Sequence, residues 1–368
     1  MQEIAQKKTD ISEVIYNIDL KETTHLVVTS ARGDHCHEPV SGEWIFIVIV
    51  GLLLLVSVVC NVLVILVIIR NAKLRNPTNI LICNLSISDL LLASVVLPQN
   101  LHDISHAKNY NEGKLLCRVV YTCPLLCIMT SIYSMMVISY ERTQAIVVVS
   151  SSKRFTTRTT IIAAGVIWLI AFTFCIPSLY EYSEYTSEDP ETNATLYRCG
   201  SNGVSYVFTV ANGVGLLLVS YIIPLITLLC NYTRILLFFR SMGMFSSQSQ
   251  QRGQVFQTLY KTRMIVVKML ILVATFFIIS WAPYFALLIL EKISGISDSL
   301  YSDGAINMLR IALAAFSTAY NFCLYVMYNP NFRTGLLVLF GFRQALQCCS
   351  VRVSPSIDSD PTQGQPDD

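Results

Sequence analysis

Charge is what this sequence has least of. Charged residues make up 14% of its 368 positions, whereas a soluble globular domain has roughly 25%. Hydrophobic residues make up 53%, and the mean hydropathy is +0.54. This balance excludes an ordinary cytosolic enzyme.

Long apolar runs account for the shortage of charge. Six charge-free runs reach the roughly 20 residues needed to cross a bilayer core of ~30 Å, and a seventh run contains only Asp89. In chain order the runs are 45–69, 79–101, 119–140, 159–180, 199–233, 269–290 and 311–332. Helices satisfy every backbone amide internally in lipid, and no period-2 barrel pattern is visible. The sequence therefore predicts an all-α fold, a seven-transmembrane helix bundle over residues 44–332.

Side chains that are missing from the runs narrow the function. No run contains histidine, so an intramembrane hydrolase would lack its usual base. The seventh run contains no lysine, which a retinal pigment or light-driven pump needs in its seventh helix. A transporter is the rival class, but transporters usually show inverted repeats or interrupted helices in paired positions. We find neither pattern.

The loops orient the bundle. Thirteen lysines and arginines lie in the first, third and fifth connections and six in the other three. By the positive-inside rule the first group is cytoplasmic and the N-terminus extracellular, as in a multi-pass protein of the plasma membrane. Residues 1–43 form a polar outer tail without the apolar core of a cleavable signal peptide. Residues 350–368 are rich in Pro, Ser, Asp and Gln, which is typical of a disordered cytoplasmic tail.

Three of the twelve cysteines lie on the predicted outer side, at Cys36, Cys117 and Cys199. Disulfides persist on an oxidising face, so Cys117 and Cys199 are a candidate pair and Cys36 is left over. Asn193 begins an Asn-Ala-Thr glycosylation motif on the same side. Asn84 and Asn231 match that motif within or under the bilayer, where we interpret the matches as chance.

Asp89 is the only acid deep in any run, and an intramembrane ionisable group is expensive. Its candidate partners at comparable depth are Asn61, Ser131, Ser317 and Asn321. Carboxylate, hydroxyl and amide oxygens suit a small cation such as Na⁺. A protonated Asp89 that hydrogen-bonds between helices is the alternative, and the sequence leaves both open.

Two further groups have helical spacing. Phe277 and Trp281 share one face just before Pro283, which bends a helix; plain aromatic packing is the alternative interpretation. Glu141 and Arg142 lie at the cytoplasmic end of the third run, where the acid can hold the arginine and release it to a partner. A charged helix end at the interface is the commoner case.

These residues together resemble the rhodopsin-like family of G-protein-coupled receptors over roughly residues 44–349. The matching positions are Asn61, the Asn84 to Asp89 stretch, Cys117 and Cys199 as the outer disulfide, Glu141-Arg142-Thr143, Trp168, and Ser280-Trp281-Ala282-Pro283. The resemblance implies an activation triad at Pro224, Ile132 and Phe277, and a supporting tyrosine at Tyr232. It also implies the sodium site proposed for Asp89.

The sequence departs from the family pattern in helix seven. The stretch Asn321-Phe322-Cys323-Leu324-Tyr325 fits the N-P-x-x-Y motif with phenylalanine at the proline position, whereas Asn329-Pro330 would place Arg333 at the tyrosine. We therefore expect helix seven to be straighter below Asn321, with the Phe322 ring packed on a neighbouring helix or lipid. Arg263 replaces an acid at the base of helix six, so the usual salt bridge from Arg142 cannot form.

Residues 333–349 are apolar with basic residues, which predicts an interfacial helix. Cys348 and Cys349 follow as candidates for palmitoylation, with two unmodified cysteines as the alternative. Membrane lipid is therefore an expected partner.

The resemblance implies a receptor without a catalytic site that converts ligand binding into nucleotide exchange on a heterotrimeric G protein. Trp281, Phe277 and Ile132 would repack, and helix six would swing so that Arg142 and Tyr232 meet the G protein. Tyr325 would move inward. Arrestin is a further candidate partner, nucleic acid is not, and no cofactor is expected beyond Na⁺ as an allosteric ion.

The ligand class is the least constrained prediction. Pro124 stands where amine-binding members carry aspartate, which argues against an amine. The second outer loop has five acids against Arg198, namely Glu181, Glu184, Glu188, Asp189 and Glu191. This loop would attract a cationic peptide, or it is merely a solvated acidic loop. Arg118 and Arg310 could instead clasp an acidic or lipid ligand. The pattern with Leu97-Pro98 most resembles neuropeptide receptors, with Gln99, Pro124, Glu291 and Arg310 as candidate pocket residues.

Overall fold

The structure is a computed structural model that describes residues 41–105, 113–148, 155–188, 195–246, 253–294 and 304–341. Several predictions fall outside these residues: the unpaired Cys36, glycosylation of Asn193, and palmitoylation of Cys348 and Cys349. The side chain of Arg263 also lies outside the described part.

Seven of the described helices are long and apolar enough to cross a membrane, which confirms the predicted fold class. We number them span 1 to span 7 in chain order: Trp44–Arg70, Pro77–Leu101, Lys114–Val147, Thr157–Glu181, Tyr206–Ser241, Met264–Ile293 and Ala305–Tyr328. Large apolar side chains such as Leu55, Leu169 and Leu229 are exposed, as a lipid-facing surface requires.

Four spans lie in uninterrupted α-helices, and three contain a π-helical turn. The uninterrupted helices are Ser41–Arg70, Thr157–Glu181, Gly253–Ser294 and Gly304–Tyr328. Span 2 joins Pro77–Leu91 to Leu97–Ser105 through Leu92–Val96. Span 3 is Lys114–Thr143 followed by Gln144–Val148, and span 5 joins Tyr206–Leu217 to Ile223–Ser246 through Leu218–Ile222. A short 3₁₀ turn, Ala72–Leu74, connects spans 1 and 2.

Two strands follow span 4 where the sequence indicated only a loop. Strand β1, Tyr182–Glu188, pairs antiparallel with β2, Thr195–Ser201, so that Glu184 lies opposite Cys199. Cys199 forms a disulfide with Cys117 at the start of span 3, with a Cα–Cα distance of 5.6 Å. The predicted pairing is confirmed, and it fastens the hairpin to the bundle.

The seventh helix ends at Tyr328, four residues before the predicted limit at 332. Asn329 is the reason, because its side chain accepts a hydrogen bond from the Phe332 amide at 3.1 Å and caps a new helix. Pro330 fits the first turn of that helix. The surface helix therefore runs over Pro330–Leu339 and starts before residue 333.

Gly335 seats the surface helix against span 1. A Cβ atom at this position would lie 2.9 Å from Val67 Cγ1 and 3.0 Å from Leu74 Cδ1. Only a glycine allows the two helices to approach this closely. Phe332 on the same helix is buried against the rings of Phe322 and Tyr325.

Candidate functional site

Asp89 lies in a cavity inside the bundle. The Nδ2 of Asn321 donates a hydrogen bond to its Oδ2 at 2.8 Å. Ser131 and Ser317 line the cavity together with Asp89 and Asn321. The structure thus brings together four of the five residues predicted for an ion site.

Asn61, the fifth residue, is a structural link and does not line the cavity. Its amide donates to the Thr318 carbonyl at 2.8 Å and to the Ser57 carbonyl at 3.0 Å. It ties span 1 to span 7 one turn above Asn321. Ser88, which the sequence did not single out, instead contacts the site through an Oγ–Oγ hydrogen bond of 2.9 Å with Ser131.

The donor set of the cavity fits a sodium ion. Asp89 offers a carboxylate, Ser131 and Ser317 offer hydroxyl oxygens, and the Oδ1 of Asn321 has no hydrogen-bond partner within the described part of the chain. Hard oxygen ligands of this kind suit small hard cations. An orphaned buried acceptor is costly unless something polar meets it, so a cation would supply what Oδ1 lacks.

The two aromatic residues of the predicted switch line the same cavity. Phe277 and Trp281 on span 6 both line it, and their ring centroids lie 6.2 Å apart. Trp281 also packs edge-on against Tyr284 at 5.7 Å. Ile132 and Pro224 are buried on spans 3 and 5, and Pro283 lies inside the helix of span 6. A shift of the aromatic pair would therefore alter the wall of the Asp89 cavity.

Arg142, near the C-terminal end of span 3, is held by two residues. Its Nε and Nη2 donate to the Glu141 carboxylate at 2.6 and 3.0 Å. Thr78 on span 2 completes the arrangement, because its hydroxyl donates to Glu141 Oε2 at 2.9 Å and accepts a bond from Arg142 Nη2. The sequence indicated the ion pair but gave no sign of Thr78, which is remote along the chain.

The two tyrosines of the predicted switch are buried below the cavity. The Tyr232 hydroxyl donates to the Leu270 carbonyl at 3.4 Å and links span 5 to span 6. Tyr325 is 2% exposed, and its ring meets Phe332 edge-on at 6.3 Å. Each tyrosine therefore contacts an element other than its own helix, Tyr232 contacting span 6 and Tyr325 contacting the surface helix.

Phe322 packs against the surface helix. Its ring meets Phe332 at 6.1 Å in an edge-to-face contact, and span 7 is one continuous helix through this position. This agrees with the expectation that the ring contacts a neighbouring helix, and it makes Phe332 a common partner of Phe322 and Tyr325.

Buried asparagines join the spans and explain two motif matches. Asn84 donates to Ser134 Oγ at 2.8 Å and accepts from Trp168 Nε1 at 2.9 Å. Asn231 donates to Ser139 Oγ at 2.9 Å. Both asparagines are buried, in agreement with the interpretation of their glycosylation motifs as chance matches.

A buried ion pair lies where spans 4 and 6 end, although the sequence analysis counted its acid among the charges of the acidic loop. Glu181 is the last residue of span 4 and 0% exposed, and its side chain pairs with Lys292 at the end of span 6. Glu181 therefore does not belong to the exposed acidic surface. Among the described residues, Glu184 and Glu188 remain on the hairpin.

The predicted pocket residues differ in burial and in hydrogen-bond partners. Pro124 and Glu291 are buried, and Gln99 is partly buried. Arg310 donates to Asn307 Oδ1 at 2.8 and 3.2 Å, while Arg118 donates to the Tyr182 carbonyl at 3.3 Å. None of these residues lines the Asp89 cavity.

Comparison with known proteins assigns the family. The model of the 7 transmembrane receptor (rhodopsin family) matches residues 60–325. The chain belongs to the rhodopsin family. It is similar to neuropeptide FF receptor 2 of Rattus norvegicus, with 27% identity over 331 residues that cover 84% of this chain and 74% of the relative. It is also similar to the substance-K receptor of Canis lupus familiaris, with 30% identity over 302 residues, 81% of this chain and 74% of the relative.

A third relative of this rhodopsin-family receptor is pinopsin of Columba livia, with 26% identity over 343 residues, 89% of this chain and 90% of the relative. Span 7 nevertheless has no lysine of the kind that a retinal pigment needs.

Family membership establishes the general role. The chain is a multi-pass membrane protein and a G-protein-coupled receptor, with an extracellular ligand and a G protein as partners. Its family comprises receptors rather than enzymes, and membership of a receptor family favours the receptor interpretation over the transporter alternative.

Proposed function

We propose that this receptor recognises an extracellular neuropeptide, with its N-terminus outside the cell. The observation that carries the proposal is the outer hairpin, an extended polar surface fastened to span 3 by the disulfide between Cys117 and Cys199. The relatives named for neuropeptide FF and substance K support it.

The hairpin is firmly seated on the ligand-facing end. The rings of Tyr182 and Tyr121 stack with centroids 4.4 Å apart, and the Tyr121 hydroxyl donates to the Cys199 carbonyl at 3.3 Å. Glu184 and Glu188 give the hairpin a negative surface, which raises the association rate of a cationic ligand. A peptide can contact the hairpin and the outer ends of the spans together.

An amine ligand fits the site poorly. Pro124 is buried in span 3, and it stands where the family's amine receptors have a carboxylate. Proline offers neither a charge nor a backbone donor. The ligand must therefore be recognised by other groups, such as those of the hairpin.

Activation in this proposal is a shift between two arrangements of the bundle. Ligand binding repacks Trp281 and Phe277 against Ile132, and the inner end of span 6 moves away so that Arg142 and Tyr232 can contact the G protein. To move the population from 1:99 to 99:1, the ligand must favour the active arrangement by about 5.5 kcal/mol.

We further propose that Na⁺ bound by Asp89, Ser131, Ser317 and Asn321 favours the resting arrangement. The ion would supply a positive charge next to the buried carboxylate. The chain's own part is to hold four oxygen-bearing side chains around the cavity that Trp281 also lines. Inward movement of span 7 would compress the cavity and weaken ion binding.

The cytoplasmic face completes the proposed cycle. Glu141 and Thr78 hold Arg142 until the G protein competes for it, and arrestin would bind the same face afterwards. The surface helix would lie on membrane lipid, fixed by palmitoylation of Cys348 and Cys349.

The test is a screen of amidated peptides on cells that express the chain, with calcium and cAMP as readouts. We expect a cationic peptide to activate the receptor. A screen in which no peptide acts, while an acidic small molecule or a lipid does, would contradict the proposal and favour recognition by Arg118 and Arg310.

A second measurement tests the role of the hairpin charges. Glu184→Gln combined with Glu188→Gln should slow association of the active peptide, chiefly at low ionic strength where charges are least screened. Arg198→Gln, which removes the opposite charge from strand β2, is the matched control and should not slow it. Equal association rates for both variants at all salt concentrations would exclude steering by the hairpin.

A further inference from the structure

The outer ends of spans 4, 5 and 6 meet at a buried ion pair. Lys292 Nζ contacts Glu181 Oε1, and the two side chains are 2% and 0% exposed. The second carboxylate oxygen, Oε2, accepts a hydrogen bond from Asn212 Nδ2 on span 5 at 2.7 Å. Asn212 also donates to Ser178 Oγ at 3.2 Å. One carboxylate thus binds three spans together.

The lysine is enclosed as well as paired. Its ammonium lies 5.2 Å from the centroid of the Tyr182 ring, and a desolvated cation over an aromatic face is attracted to it. Gly213 on span 5 makes room for the stem, because a Cβ atom there would collide with Lys292 Cδ. The groove therefore accepts Lys292 only while spans 5 and 6 keep their present separation.

A buried pair of this kind depends on the arrangement of the helices. Removing one partner leaves a charge in a dry site, which is strongly unfavourable, whereas replacing both by apolar or neutral groups is often tolerated. A buried pair between separate spans is therefore stable in one relative position of those spans. It loses its desolvated geometry when span 6 shifts or rotates.

We propose that Glu181 and Lys292 form an outer latch that holds span 6 against spans 4 and 5 in the resting receptor, and that weakening this latch raises ligand-independent signalling. The latch lies at the opposite end of span 6 from the G-protein contacts. It compensates for the salt bridge from Arg142 to span 6 that Arg263 prevents. The inference rests on the receptor's family and not on the identity of its ligand.

Three single variants, one on each of spans 4, 6 and 5, should weaken the latch. Glu181→Gln keeps the shape and removes the negative charge, Lys292→Met removes the positive charge, and Gly213→Ala pushes the lysine stem aside. We expect each to raise basal nucleotide exchange per folded receptor by roughly twofold or more. Gly215→Ala is the matched control on the same helix, since nothing lies within 4 Å of its added Cβ, and it should leave the basal rate unchanged.

The experiment uses purified full-length receptor in lipid nanodiscs without ligand. Basal exchange on added G protein is one readout. Hydrogen–deuterium exchange of residues 264–275 at the inner half of span 6 is the other, and it needs neither ligand nor G protein. We expect both to rise in the latch variants. Unchanged or lower values per folded receptor in all three would overturn the proposal and leave the pair a merely structural contact.

The double variant Glu181→Gln with Lys292→Met decides the case if the single variants fail to fold. It carries no unpaired buried charge, so it should fold, but it also lacks the attraction that holds span 6. We expect its basal rate to exceed that of the wild type and to fall below the sum of the two single effects. A wild-type rate and wild-type deuterium exchange in this variant would refute the latch. A further outcome is that neither the wild type nor any variant activates the added G protein while deuterium exchange at residues 264–275 still rises in the latch variants. That result would show that the receptor does not couple to this G protein, and it would support the latch.

Discussion

The hydroxyl of Thr78 connects span 2 to the pair of Glu141 and Arg142 on span 3. It donates to Glu141 Oε2 and accepts from Arg142. Thr78→Ala removes both bonds, and a hydrogen bond contributes about 0.5–1.5 kcal/mol net. We therefore expect basal signalling to rise roughly two- to tenfold. Thr78→Ser keeps the hydroxyl and should behave like the wild type. Basal G-protein activation per receptor at the cell surface measures the effect, and equal values for Ala and Ser would contradict it.

Asp89 gives a prediction that needs no ligand. If Na⁺ binds the folded receptor at Asp89, it stabilises that receptor by mass action. The thermal unfolding midpoint of the purified wild type should then be higher in Na⁺ than in a bulky organic cation at equal ionic strength. Asp89→Asn should abolish the difference. Ser86→Ala, a change at a buried hydroxyl of the same span that does not line the cavity, should retain it. Equal thermal unfolding midpoints of the wild type in both salts would contradict the sodium hypothesis.

Phe322 is the residue at which the chain departs from its family's proline. Phe322→Pro removes an amide donor within span 7, a change of ~3 kcal/mol in an ordinary helix interior. The Thr318 carbonyl that loses this donor still accepts from Asn61 at 2.8 Å, so we expect the variant to fold. It should change basal signalling because span 7 bends more easily near Tyr325. Phe322→Leu keeps the backbone amide but loses the ring contact with Phe332. It therefore separates the effect of the lost ring from the effect of the lost amide donor.

Basal G-protein activation per receptor at the cell surface is compared between the wild type and Phe322→Pro. Unchanged basal and ligand-driven signalling in Phe322→Pro would show that the phenylalanine is neutral. In that case the Asn321 to Tyr325 stretch is not a tuned switch.

At the scale of elements, the hairpin depends on one covalent bond. Cys117→Ser or Cys199→Ser releases β2 from span 3, and losing such a constraint costs about 2–5 kcal/mol in small secreted domains. We expect a large loss of surface expression or of ligand binding. Cys36→Ser is the matched control and should be mild. Flow cytometry with an N-terminal tag on intact and permeabilised cells measures it, and equal damage from Cys36→Ser would contradict the single-bond account.

The helices could be read from the sequence because lipid imposes a simple rule. Each span is an apolar run of sufficient length, and the structure has a helix at all seven. The end of span 7 was misplaced because the charge-free run continues to Phe332, and the first charged residue after it is Arg333. The stop is set by Asn329 and Pro330, through a cap and a proline at the first helical turn. Local chemistry, not hydrophobicity, determines that boundary.

At the scale of the whole molecule, the sequence predicted one contact between distant spans and missed another. Asp89 with Asn321 was predicted, because a lone deep acid needs a partner and the family pattern indicates one. Glu181 and Lys292 were counted with the outer-loop charges, because nothing in either neighbourhood marks them as buried. Only the packing of spans 4, 5 and 6 around the Glu181 carboxylate brings them together.

The central claim is that an extracellular peptide drives G-protein activation through Arg142. The most direct measurement is binding of a non-hydrolysable GTP analogue to purified heterotrimeric G protein, with the receptor in nanodiscs and the peptide found by screening. We predict that the peptide accelerates binding of the GTP analogue when the wild-type receptor is present. It should not do so with Arg142→Ala, although both receptors bind the peptide. Acceleration by an acidic small molecule or lipid, with no amidated peptide active, would contradict the claim.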